Sequence, residues 1–382
     1  MKHKLLLLIT FTICALFACN ANGAEDIKFL IFNTQELPDT PEKFENIVNR
    51  FEEVSTCNTK VGLSHIISYF RKDKKKKKKD LQVFLDSAEK TNTPVVIKLD
   101  GEQWWENRPD LWNFWDKDRP GYDPNNVRNV EWTGWTSDRA MKIAWRNWGR
   151  QLRVLPPPNL MSPEYRRESH KAMDILMPLI MDWWKNLPAK KKYLFVALNV
   201  GWESSLCYNA FYYPNGNDYL DKPEKNDPTS GTIRADVLDR GLIQSGYNAV
   251  QTAGIRTEGD ITEDDLVEVV RRHLEDLSEY ANKFGFPREK IFTHGVGNEF
   301  GEKLYDAAVN DYSCPGWSGY WYADDPAKDK GIMRNIKRTD APYWAVVEYL
   351  LLKPYSEEKL WEDALYTTLN YPNCRFICIY NW

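Results

Sequence analysis

The stretch YLFVALNVGWE, Tyr193 to Glu203, decides how the rest of the chain is read. Six mostly apolar residues rich in Val, Leu and Phe are followed by Asn199, Val200, Gly201, Trp202 and a carboxylate. A run that apolar predicts a strand buried on both faces, which in α/β proteins is usually a parallel strand. Ligands of such sheets bind outside the carboxyl ends of the strands, so an acid at that end stands on the functional side. Glu203 is therefore the first candidate catalytic residue, against the plainer reading of a loop-capping glutamate.

Outward from this strand, the pattern is strand then helix, repeated. The sequence predicts strands at 26–33, 61–70, 94–99, 193–203, 290–296, 319–322, 342–348 and 375–382. Apolar residues at helical spacing predict helices at 41–54, 81–90, 163–187 with Ser162 as N-cap, 234–253, 262–284 capped by Thr262 with Asp265 three residues on, 330–338 and 357–369. The six-lysine run Lys74–Lys79 reads as a solvated loop or helix start. Eight strands alternating with helices predict an α/β fold of the (β/α)8 TIM-barrel type, in one domain over residues 25–382. A doubly wound open sheet is the competitor, but no Gly-rich phosphate-binding motif follows any strand.

Length and composition agree. A chain of 382 residues with 42% hydrophobic content suits one barrel-sized core. A net charge of −4 gives no reason to expect nucleic acid or an anionic membrane as partner. Aromatic content of 14%, with 16 Trp and 20 Tyr, exceeds what a core requires, and flat rings are what sugar faces stack on. Eight of those tryptophans fall in one long loop after strand three, from Asp100 to Ser162, and two or three would suffice to pack it. The others are expected to line a cleft.

Residues 1–24 read as a signal peptide: a basic Met1–Lys4 segment, then an apolar Leu5–Phe17 run too short to span a bilayer. Export follows. Leu16-Phe17-Ala18-Cys19 resembles a lipobox whose cysteine would carry a lipid anchor, giving a periplasmic or outer-membrane lipoprotein. Cleavage after Gly23 or Ala24, giving a secreted protein, is the other reading. Of the five cysteines beyond the signal, Cys57, Cys207, Cys314, Cys374 and Cys378, none has metal-ligand spacing. Neither a metal nor a cofactor is called for, no H-E-x-x-H or G-x-S-x-G occurs, and the histidines His65 and His170 read as ordinary surface or core residues.

The strand-four and strand-seven ends of a barrel face each other across its mouth, and here they carry Glu203 and Glu348. Glycoside hydrolysis needs such a pair: one carboxylic acid protonates the leaving oxygen, the other attacks the anomeric carbon or activates water. The motifs VALNVGWE, YWAVVEY and CIYNW resemble the clan A retaining glycoside hydrolases, barrels similar to the family 42 β-galactosidases and family 164 β-mannosidases. That resemblance implies Glu203 as acid/base, Glu348 as nucleophile, Trp382 in the floor of the sugar site, His294 near the nucleophile, and a trimer as a candidate assembly. Two departures stand out. Trp202 occupies the place where the clan has asparagine, with Asn199 as substitute contact for the sugar 2-hydroxyl, and no eighth helix follows strand eight. Asn298-Glu299 shows the expected dipeptide, but too little chain follows it for the three further βα units that a strand-four acid requires.

Mouth-loop candidates for sugar contacts are Asp100, Glu102, Trp104, Trp105, Asn147, Trp148 and Tyr212. The reading is an exported retaining β-glycosidase acting on carbohydrate. The alternatives are a non-catalytic glycan-binding lipoprotein on the same scaffold and an inverting polysaccharide enzyme.

Overall fold

The computed structural model describes residues 27–380 except 56–57, 69, 71–72, 103–104, 106, 143, 148–150, 155–156, 207, 210–242, 297–301 and 355. Side chains of 52–54, 144–147, 151–154, 208–209 and 243 also lie outside the description. Eight parallel strands close into a barrel: β1 (Lys28–Thr34), β2 (Thr59–Ser68), β3 (Val95–Asp100), β4 (Phe195–Ser204), β5 (Ile291–Gly295), β6 (Gly316–Gly319), β7 (Trp344–Tyr349) and β8 (Cys374–Ile379). This is the (β/α)8 TIM barrel that the strand count predicts. Closure comes from β1 pairing directly with β8, Phe29 opposite Phe376 and Ile31 opposite Cys378.

The helices are α1 (Pro41–Val48), α2 (Lys74–Thr91), α3 (Pro163–Asn186), α4 (Tyr247–Thr252), α5 (Glu263–Lys283), α6 (Lys330–Arg338) and α7 (Glu358–Leu369). Two caps match their expected residues. Ser162 accepts the Tyr165 amide at the start of α3, and Thr262 forms a reciprocal capping box with Asp265 at the start of α5. Of the two readings of the lysine run, the helix start is the one found: Lys74 is the first residue of α2, capped by the Asp73 side chain. The helix carries its apolar face in Leu81, Phe84, Leu85 and Ala88, and the capped lysines extend it by about two turns, with Lys77 and Asp80 buried on the inner side. With no eighth helix in the described residues, α7 packs over β8 and reaches β1.

Packing falls into two shells. The larger one lies between strands and helices; the smaller fills the barrel interior with Phe29, Ile31, Val96, Ala197, Phe292, Val347 and Phe376 among others. Following the inward column of each strand by its period of two shows where the site must be. On β1 the column runs Phe29, Ile31, Asn33; on β3 Val96, Lys98, Asp100; on β4 Ala197, Asn199; on β5 Phe292, His294. Each begins apolar and turns polar toward its C-terminal end. The barrel is thus a closed hydrophobic plug with one polar mouth, on the face where such barrels place their chemistry.

The long loop after β3 is a packed insertion containing a one-turn helix at Pro109–Trp112 and an antiparallel hairpin, Ala144–Asn147 with Gln151–Val154. All five of its tryptophans whose side chains are described pack inward: Trp105, Trp112 and Trp132 are buried, and Trp115 and Trp135 rest against the core. The expectation that most of the loop's rings line a cleft is therefore not met for these five. An ordered excursion this far from the barrel needs a core of its own, and the tryptophans supply it.

Candidate active site

The two glutamates meet at one hydroxyl. Glu203 Oε1 accepts a hydrogen bond from Ser318 Oγ at 2.7 Å, and the Tyr320 hydroxyl lies 3.0 Å from that oxygen and within bonding reach of Glu348 Oε1, its one proton given to one carboxyl at a time. Tyr320 lies just beyond β6, between the strands that bear the two acids in the barrel order. Sequence reading placed strand six at 319–322 and singled out neither Ser318 nor Tyr320. The strand is Gly316–Gly319, so Ser318 is a strand residue and Tyr320 opens the loop above it. The available signal was the aromatic-polar run Trp317 to Tyr322, sitting two strand positions from the mouth.

Both acids are aimed by irregular backbone. In β4, Val200 pairs with Thr293 but Ser204 pairs with Gly295, so two extra residues bulge out between them. Gly201 stands at φ +82° and Glu203 itself at φ +43°, a left-handed conformation uncommon for a side-chain-bearing residue. The bulge turns Glu203 over the mouth. Glu102, on the loop after β3, holds it there: its Oε1 accepts the Trp202 amide at 3.2 Å and Ser204 Oγ at 2.5 Å, and faces His273 Nε2 at 3.0 Å. In β7 the pairing likewise slips, Trp317 opposite Val346 and Ser318 opposite Glu348, which turns Glu348 inward where strict alternation after Val347 would turn it out.

Burial sets the electrostatics. Glu348 is 2% exposed, and desolvation, then the charge of Glu203, pushes its carboxyl up to about 8, while Lys98 and the Tyr320 hydrogen bond pull the other way. Tyr320 is held well above the usual phenol range, by desolvation and then by the two carboxylates. His294 Nε2 lies 2.9 Å from Ser318 Oγ and 3.9 Å from Glu348 Oε2. Complete burial, and then Lys98, holds it well below its ordinary value, so the ring is neutral. A neutral ring donating from Nε2 to Ser318 lets Ser318 donate to Glu203, which orients that carboxylate.

The Trp202 ring meets His294 edge to face at 5.3 Å between centroids and lies 6.4 Å from the Tyr380 ring. It is 6% exposed and forms part of the mouth. Asn199 sits deeper, fully buried, its amide donating to the Phe292 carbonyl. Asp100 is also buried, its Oδ1 accepting the Glu102 amide in a turn. Trp105 packs edge to face on Tyr165 inside the insertion. Trp104, Trp148, Tyr212, Trp382, the Asn147 side chain, the Asn298-Glu299 pair and the Cys19 signal segment lie outside the described residues. Cys314, Cys374 and Cys378 are buried free thiols.

No family model matches the chain, and no curated protein matches it. Solved structures similar to it include the catalytic domain of a beta-amylase from Paenibacillus polymyxa, 8% identical over 94% of this chain and 93% of that one, TM-score 0.46. PbGH5A, a glycoside hydrolase family 5 enzyme from Prevotella bryantii, is 8% identical over 93% and 89%, TM-score 0.41. GH26A from a Muricauda species is 9% identical over 93% and 84%, TM-score 0.41.

Proposed function

We propose that the protein is an exported retaining β-glycosidase. The observation that carries this reading is the single Tyr320 hydroxyl bonded to both Glu203 and Glu348. Two hydrogen bonds to one oxygen hold their acceptor atoms within about 5.5 Å, inside the range of retaining pairs at roughly 5–5.5 Å and short of the roughly 6.5–9.5 Å of inverting ones. Such a spacing leaves little room for a water molecule between the carboxyls for direct displacement, which supports a carboxylate nucleophile.

In this mechanism Glu348 attacks the anomeric carbon from the barrel interior as Glu203 gives its proton to the glycosidic oxygen. The Glu348–sugar ester carries no negative charge, which removes the repulsion that favours a proton on the pair. Glu203 then takes a proton from water attacking the same carbon. Ser318 and Tyr320 hold the oxygens in line. The signal-peptide reading of residues 1–24 supports export, through an anchor at Cys19 or by release.

One observation favours the reversed assignment: burial raises the Glu348 carboxyl to about 8, as a proton donor requires. Labelling separates them. A 2-deoxy-2-fluoro glycoside with a good leaving group, followed by peptide mass spectrometry, is expected to trap an ester on Glu348; an ester on Glu203 reverses the roles. NMR of the first-formed product anomer is expected to show retention. Inversion, or binding of oligosaccharides without cleavage across a glycoside panel, sinks the reading in favour of the inverting enzyme or the glycan-binding protein.

A further inference from the structure

Lys98 has no exposed surface, yet it stands in the inward column of β3 directly below the mouth, between Val96 and Asp100. Its Nζ finds no oxygen or nitrogen acceptor among the described residues. It lies 5.3 Å over the Trp202 ring, with the Cys378 thiol near enough for its charge to act on it. A lysine is rarely buried without an ion pair, and desolvating its ammonium costs several kcal/mol unless opposite charge stands close by.

The groups that face it show what that charge is. From β4 comes the Trp202 ring, from β5 His294, from β8 Cys378, from β7 Glu348 with Tyr320 bonded to it, and on its own strand stands Asp100, whose Oδ1 accepts the Glu102 amide. The imidazole, thiol and phenol are all pushed toward their neutral forms by burial. What remains around the lysine is carboxyl, Glu348 on β7 and Asp100 on its own strand. Because Lys98 is sealed from solvent, a sugar does not touch it, and its action on the reaction must pass through other residues.

We propose that Lys98 is a positioning residue, an internal cation whose charge lowers the pH at which Glu348 gives up its proton and whose cation–π contact fixes the Trp202 ring beside Glu203. The proposal rests on the glycosidase reading and opposes the effect of burial: without the lysine, a nucleophile sunk in the barrel would hold its proton to still higher pH. The lysine supplies the favourable potential without donating a hydrogen bond to the carboxylate, so the Glu348 lone pairs stay available to the anomeric carbon.

The test is the titration of Glu348 itself, followed by carboxyl 13C NMR in protein labelled at glutamate, the resonance being assigned by its loss in Glu348→Gln. In Lys98→Met the Glu348 midpoint is expected to rise by about one pH unit or more, and in Lys98→Arg to stay near the wild-type value. The acidic limb of kcat/KM should move upward by the same amount in Lys98→Met, with KM for an aryl glycoside changing less than kcat. A midpoint in Lys98→Met within a few tenths of wild type overturns the proposal. If Lys98→Met does not fold, Lys98→Gln takes its place, with the same midpoint criterion. A wild type that cleaves no glycoside overturns the functional reading alone, since the titration still decides the lysine.

Discussion

Glu102 and Trp202, a hundred positions apart, are joined by a hydrogen bond from the Trp202 amide to the Glu102 carboxylate at 3.2 Å. The same oxygen takes Ser204 Oγ and faces His273, so one buried carboxylate on the β3 loop fixes the bulge that presents Glu203. Glu102→Ala leaves buried donors unmatched, each costing about 1–3 kcal/mol. The expected result is a melting temperature lower by several degrees and kcat/KM lower by at least tenfold, with Glu102→Gln recovering part of both. Unchanged kinetics in Glu102→Ala would show that Glu203 is aimed by something else.

Gly201 is the second anchor of that bulge. Its φ of +82° is left-handed, and an added Cβ would stand 2.5 Å from Leu274 Cδ2 and 2.7 Å from Ser204 Oγ. Gly201→Ala therefore combines backbone strain with a clash, together about 1–3 kcal/mol or more. Activity is expected to fall further than stability alone explains, since relief of the clash displaces Ser204 and the adjacent Glu203. Melting curves paired with kcat/KM check this, and loss of stability with full activity in the folded fraction contradicts it.

Tyr320 gives a prediction about pH. Its hydroxyl hydrogen bond lowers the proton affinity of Glu348 against the upward push of burial and of Glu203. Tyr320→Phe removes that donor, so the Glu348 carboxyl should hold its proton to higher pH. The acidic limb of kcat/KM then moves upward, and the maximal rate falls by roughly 10²–10³-fold, the usual consequence of losing a positioned donor. A rate loss with an unmoved acidic limb would mean that the tyrosine positions substrate and leaves the ionisation of Glu348 alone.

How much of this was visible in the residues depends on range. Strand count, helix caps and the pairing of Glu203 with Glu348 are legible because apolar runs, Ser162 and Thr262 act locally and barrel order follows chain order. Tyr320, Ser318 and Lys98 were not singled out. Their importance comes from strand register and bulges, which bring β3, β5, β6 and β7 side chains to one point and leave no periodic trace. The loop tryptophans misled for a related reason: a ring that packs an insertion and one set at the mouth look the same in sequence, and what separates Trp105 from Trp202 is the neighbour each ring packs on, Tyr165 for one and His294 for the other.

Glu131 is a buried acid outside the site, and its pH signature is a property of folding. It has no exposed surface, and its oxygens face the amides of Trp132, Gly246, Asn248 and Ala249, which draw its pKa down, without a hydrogen bond closing on either oxygen. Desolvation dominates and pushes the carboxyl up to about 8. In the unfolded chain a glutamate releases its proton near 4.3. Stability from this group is thus fully present below about pH 4 and is lost as pH rises through about 8, where the folded protein must bury a charge. Glu131→Gln cannot ionise, so its melting temperature relative to wild type should climb steadily between pH 5 and 8 and level off above that. Other titrating groups, Glu348 included, are common to both proteins and cancel in the difference. Parallel melting curves across this window would mean that the amides around Glu131 already offset its desolvation.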